Sequence, residues 1–300
     1  MALKQSGDLN KMKLVILMFL LSNILFASKI ELEILGSGGP EIDGRASSSY
    51  LLWIDGEAKL IVDMGSGSLL RFEQSHAKLE TLEAVVLTHL HIDHSADLPS
   101  FVKAGFFSNR TKSLDIIAPH GNESFPPIKE FLSDLFGEHG AYRYMQDVLR
   151  EDSDSFQIIP IQINTQTVET RKYKSFTLKL INVHHGSVPA LALSIEADGK
   201  KILISGDTND ENKNLEKLAI NADLFIAHHA IPQYANRFAK TLHMTPLTIA
   251  YIAKGAEVKK VILSHRMNRT KNKEGQSLEI IKQVYKGEVT FGEDRMKIKL

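Results

Sequence analysis

The sequence predicts a mixed α/β domain, and three observations predict it. Short β-rich apolar runs alternate with helical stretches, glycine-bearing turns separate them, and several runs end in chemically loaded polar residues. With 300 residues, 43% hydrophobic and 24% charged, the chain can bury a sizeable core. Residues 29–35, 49–54 and 60–62 read as an opening meander, divided by the turns Gly36-Ser37-Gly38-Gly39-Pro40 and Asp55-Gly56. Residues 84–87 read as a buried strand whose C-terminal end delivers a polar cluster, the place where α/β sheets carry ligand sites. Residues 97–151 read as helical with loops, and most of Phe101, Phe106, Phe107, Phe125, Phe131, Phe136, Tyr142 and Tyr144 are expected in the core. Strands resume at 156–163, 176–183, 190–195 and 201–205. Helix and strand then alternate through 211–220, 224–227, 246–254, 261–263 and 278–285, before closing strands near the C-terminus.

Residues 1–28 read as a leader and residues 29–300 as one domain. Lys11 and Lys13 precede the apolar run 14–21, and small residues follow at Ala27-Ser28, the layout of a secretory signal peptide. The run falls short of the roughly 20 residues that a spanning helix needs. The expectation is a periplasmic or secreted protein with no membrane partner beyond the leader. Lys+Arg and Asp+Glu stand at 36 each, so no global field advertises nucleic acid as a specific partner. The absence of cysteine removes disulfides, thiolate ligands and a cysteine nucleophile together.

The stretch Thr88-His89-Leu90-His91-Ile92-Asp93-His94 packs three imidazoles and a carboxylate into six residues. On an extended segment His89 and His91 point the same way, and the turn that follows aims Asp93 and His94 at a neighbouring position, which suits two adjacent cations. Three later features share its placement after an apolar run: His184-His185, Asp207 and His265. A dinuclear zinc site takes about four ligands per metal, with a carboxylate able to serve both. His89, His91 and His185 are therefore assigned to the first metal, Asp93, His94 and His265 to the second, and Asp207 to the bridge. His184 is the alternative to His185, because neighbours on a strand point oppositely. Imidazole and carboxylate without sulfur suit zinc, two per chain, and are also compatible with iron or manganese.

These motifs, with Gly206-Asp207-Thr208, resemble the successive signatures of the metallo-β-lactamase superfamily. The phrases Leu35-Gly36-Ser37-Gly38-Gly39-Pro40, Ile61-Val62-Asp63-Met64-Gly65 and Leu242-His243-Met244-Thr245-Pro246 resemble its ribonuclease Z and arylsulfatase-like branch. The resemblance implies a four-layer αβ/βα sandwich, a dinuclear zinc centre and hydrolysis of an ester, phosphodiester or amide. The missing cysteine departs from one major subclass of zinc β-lactamases, and Asp207 favours the phosphodiesterase-like branches. His228-His229-Ala230 stands where ribonuclease Z carries His-Glu-Ala, and no substrate-binding arm of the ribonuclease Z type is recognisable.

The expected activity is that of a secreted or periplasmic hydrolase acting on small-molecule esters of phosphodiester or sulfate/phosphate type. A lactonase or β-lactamase-like hydrolase is the alternative enzyme, and a non-catalytic metal-binding module the alternative class. Asp93 and His243 are the expected catalytic residues, His243 as general acid toward the leaving group. Asp63 is expected to orient a metal-bound histidine. His228 and His229 are left open between the rim of the site and the structure around it.

Overall fold

The computed structural model describes residues 28–153 and 155–300, so the leader expectation falls outside the described residues. Alternate residues of a strand face opposite ways, and here both faces are apolar. In β1 (Ile30–Gly36), Ile30, Leu32 and Ile34 join one buried cluster while Leu35 joins another. The same division runs through β2 (Ser49–Ile54), β3 (Glu57–Val62) and β4 (Ala84–Val86), where Leu52, Val62 and Val86 face inward and Leu51, Ile61 and Val85 outward. With β5 (Leu114–Pro119), β6 (Ile158–Ile163) and a final strand, Lys297–Lys299, these make a seven-stranded sheet. The second half of the chain supplies β7 (Glu169–Lys172), β8 (Thr177–His185), β9 (Val188–Ala197), β10 (Lys200–Ile204), β11 (Leu224–His228), β12 (Lys260–Ser264) and β13 (Glu288–Phe291). The closing strand Lys297–Lys299 is β14.

The first sheet runs β14-β1-β2-β3-β4-β5-β6 and the second β13-β12-β11-β10-β9-β8-β7. Each is antiparallel at one end and parallel at the other, with β3 to β6 parallel in the first and β10 to β13 parallel in the second. One apolar layer lies between the sheets, where Leu52 and Val86 share a cluster with Leu193, Ile204 and Ile226. Outside the first sheet, Val85 and Ile116 pack with Phe101 and Val102 of the helix Leu98–Gly105 and Leu132 of the helix Ile128–Phe136. Outside the second, Leu203 and Phe225 pack with Ile249 of the helix Pro246–Gly255 and Ile281 of the helix Glu274–Val284. The result is the expected helix–sheet–sheet–helix sandwich.

Several elements escape the sequence pattern. β5 lies inside the stretch read as helical, and pairing with β4 and β6 makes its six residues a strand. β7, Glu-Thr-Arg-Lys, has no apolar residue and exists through its ladder with β8 alone. The helices Ser68–Gln74 and Arg237–Leu242 lie outside the stretches expected to be helical. Among the aromatics of that region, Phe101 and Phe136 are buried, whereas Phe107, Tyr142 and Tyr144 are exposed. Phe107 and Tyr144 gather around Lys103 Nζ, at 5.2 and 5.1 Å from their ring centres, so a cation holds them at the surface. Among the described residues no helix is long and apolar enough to cross a membrane.

The turn after β10 contains a carboxylate that weakens the fold at neutral pH. Asp210 is 7% exposed, has a left-handed φ of 57°, and accepts the Leu215 amide at 3.0 Å. Burial pushes its carboxyl up to about 6. An acid with a raised folded pKa binds its proton more tightly in the folded chain, so stability falls as pH rises from about 4 through 6. Asparagine keeps the acceptor and tolerates the left-handed backbone. Asp210→Asn should raise the melting temperature by about 2–4 °C at pH 8, with the gain shrinking toward pH 4 in a thermal scan.

Candidate metal centre

Strand ends of both sheets deliver the polar residues to one rim. β3 leads into Asp63, β4 into Thr88 to His94, β8 ends at His185, β10 leads into Asp207, β11 ends at His228, and β12 leads into His265. Asp63 and His265 have left-handed φ values of 61° and 52°, a region that non-glycine residues enter seldom and Asp and His more readily than most. Gly206 shares that conformation at 57°, and a Cβ there would lie 2.5 Å from the Leu191 carbonyl oxygen. The tight turn that presents Asp207 therefore requires glycine.

Ligand atoms of His89, His91 and His185 lie within 4.8 Å of one another, as do those of Asp93, His94 and His265. These are the two sets expected from the sequence. Asp207 lies between them and joins three further groups of this kind, with His89 and His94, with His185 and His243, and with His228 and His265. Its Oδ2 is 3.7 Å from His185 Nε2, 3.9 Å from His94 Nε2 and 3.7 Å from His243 Nδ1. Asp93 Oδ2 is 3.2 Å from His265 Nε2 and 3.5 Å from His94 Nε2.

The histidines are aimed by their other nitrogens. His94 Nδ1 donates to Asp63 Oδ2 at 2.8 Å, and Asp63 also accepts the Thr88 amide and hydroxyl at 2.7 and 2.9 Å. His185 Nδ1 donates to the Leu242 carbonyl at 2.8 Å. Such bonds fix the tautomer and turn Nε2 toward the centre. Asp63 thus holds the position expected of it. Burial depresses the His94 pKa, but the Asp63 carboxylate outweighs it and raises the group to about 9. Burial drives His89 far down and His185 down. Against burial, His265 and His243 keep the Asp207 carboxyl well below its ordinary value, and His265 beside Asp93 holds that group at about 2.

The donor set fits divalent cations. His185 Nε2 and His243 Nδ1 are buried without a hydrogen-bond partner. His94 Nε2 faces His265 Nε2 at 3.1 Å, and His89 Nε2 faces His91 Nδ1 at 2.9 Å. At these distances one nitrogen of each pair carries a proton, and a cation bound among them and the two carboxylates would take the proton's place.

Strand alternation separates the histidine pairs. His184 turns outward to Asn209 Oδ1 at 3.0 Å, and His185 turns inward to Asp207. His228 continues the inward row of Leu224 and Ile226 and donates through Nδ1 to Asp207 Oδ1 at 2.8 Å. His229 points to the outer layer, pairing with Ser277 Oγ at 2.9 Å. The period-2 pattern of β11 carried the signal for His228, and the adjacent His229 obscured it.

Residues 42–240 match the profile of the Metallo-beta-lactamase superfamily. The chain belongs to that superfamily. Its members typically bind divalent metals, and the chain is a metal-dependent hydrolase. It is 27% identical over 274 residues to a ribonuclease Z of Listeria welshimeri, covering 80% of this chain and 89% of the relative. It is 30% identical over 203 residues to a ribonuclease Z of Mycobacterium bovis, covering 66% and 69%. Among solved structures, the metallo-beta-lactamase fold protein YhfI from Bacillus subtilis aligns with a TM-score of 0.73 at 21% identity, covering 91% of this chain and 100% of that one. The short form of human tRNase Z aligns with a TM-score of 0.66 at 24% identity, covering 89% and 98%.

These relatives overturn the expectation of a small-molecule ester hydrolase without a nucleic-acid partner. That expectation rested on equal charge totals, on the leader, on His229 in the place of an acidic residue and on the unrecognised substrate-binding arm. Charge totals average over the whole surface and are silent about one face, and the leader lies outside the described residues.

Proposed function

We propose that the chain is a ribonuclease that hydrolyses a phosphodiester bond in RNA, with tRNA precursors as the substrate class. The ribonuclease Z relatives carry this reading, since one of them is matched over 89% of its own length. Two zinc ions are assigned, one to His89, His91 and His185, the other to Asp93, His94 and His265, with Asp207 shared. Bound zinc supplies a water with its pKa lowered from 15.7 to about 7 and positive charge for the developing oxyanion. The chain's own residues do the rest. Leu242 and Asp63 hold His185 and His94 in the tautomer that presents Nε2. Asp93, ionised far below neutral pH, orients the attacking water. His243 hands a proton to the leaving oxygen.

The test is metal analysis of the purified full chain joined to a substrate panel: a 3′-extended tRNA, an aryl phosphodiester, an aryl sulfate, a lactone and a β-lactam. Two metals per chain and cleavage of the tRNA at a discrete site are expected. Turnover of the lactone or β-lactam with the tRNA left intact overturns the reading.

A further inference from the structure

The two oxygens of Asp207 have different surroundings. Oδ2 looks into the centre, toward His185, His243 and His94. Oδ1 is bound by His228 Nδ1 at 2.8 Å and lies 3.6 Å from His265 Nε2. An ionised carboxylate only accepts, so the His228 proton sits on Nδ1 and the lone pair on Nε2. The Tyr50 hydroxyl lies 3.0 Å from that Nε2 and therefore donates to it, with Ser48 Oγ 3.4 Å behind as donor to Tyr50. Tyr50 is 0%, His228 1% and Asp207 3% exposed. Tyr50 stands on β2 of the first sheet and His228 on β11 of the second, so the relay crosses the layer between the sheets.

His228 also belongs to a group, with Asp207 and His265, whose atoms lie close enough to hold a cation. Its hydrogen bonds argue against that role. Nδ1 is engaged by Asp207 and Nε2 by Tyr50, so neither nitrogen offers a free lone pair. A buried, fully satisfied chain of donors and acceptors is rigid.

We propose that Tyr50 and His228 are positioning residues, a tyrosine–histidine relay that holds Asp207 by Oδ1 and so fixes its Oδ2 facing His185, His94 and His243. The proposal rests on the two-cation reading of the site.

The full chain and its variants His228→Ala, His228→Asn and Tyr50→Phe, each checked for native circular dichroism, are stripped of metal and titrated with zinc against a chromophoric chelator. Wild type is expected to take two zinc ions. His228→Ala should bind the second about 10–100-fold more weakly. His228→Asn, whose amide N–H falls near the place of Nδ1, should recover most of that loss. Tyr50→Phe should show a smaller loss in the same direction. Folded His228→Ala with wild-type affinity for both ions overturns the relay alone, as does His228→Asn no better than His228→Ala. If His228→Ala does not fold, unchanged affinity in Tyr50→Phe and wild-type affinity lost in His228→Asn overturn it. A wild-type chain that saturates with one zinc overturns the two-cation reading and the relay's purpose with it.

Discussion

Replacing Asp207 by asparagine should lower RNA cleavage by about 10³-fold or more at saturating zinc, roughly 4 kcal/mol of barrier, and leave one tightly held metal instead of two. The side chain keeps its shape, so packing does not explain such a loss. What disappears is a full negative charge at the one point common to both halves of the cluster, 3.6 to 3.9 Å from nitrogens of His265, His185, His243 and His94. Bound cations are the largest local charges in such a site, and a carboxylate shared between them screens their repulsion. An amide oxygen offers only a dipole. Metal-free Asp207→Asn should fold, because the histidines around it are neutral or free to become so. Single-turnover cleavage and metal analysis of the same sample check both parts. Two metals retained at near wild-type rate would remove Asp207 from the shared position.

The sandwich fold is legible in the alternation of apolar runs and helical stretches, and the ligating residue types are legible for a separate physical reason. Solvation and packing have no use for His-x-His-x-Asp-His, so the cluster from His89 to His94 stands out against any background. His185 and His228 are legible at one remove, because the inward row of each strand decides which of two adjacent histidines reaches Asp207. β7 is illegible for the opposite reason: its four polar residues state nothing about a strand that its neighbour's backbone imposes. The substrate expectation was overturned by the ribonuclease Z relatives and not by the ligands, because metal ligands answer to the phosphodiester group alone. That group is the same in a small ester and in RNA, and what tells them apart lies on surface beyond the ligands.

His243→Ala should cut RNA cleavage by about 10²–10⁴-fold while the chain still holds two metals. His243 sits between the helices Arg237–Leu242 and Pro246–Gly255, the second of them capped by Thr245, whose side chain accepts the Thr248 amide. The residue is 6% exposed, and its Nδ1 is 3.7 Å from Asp207 Oδ2 without a hydrogen-bond partner. Burial pushes the imidazole down to about 3, so it is neutral in the free enzyme at pH 7. An anionic phosphodiester arriving beside it favours the protonated form, so substrate binding and proton uptake are coupled. A general acid must be protonated to act, and kcat should fall as pH rises through this substrate-raised value, a limb that His243→Ala should lack. The leaving group provides the sharper comparison. An RNA alkoxide needs the proton, whereas p-nitrophenolate departs without one, so bis(p-nitrophenyl) phosphate should lose far less than RNA does in the variant. Equal losses on the two substrates, accompanied by departure of a metal, would instead place His243 among the cation's ligands, the role its grouping with His185 and Asp207 also permits.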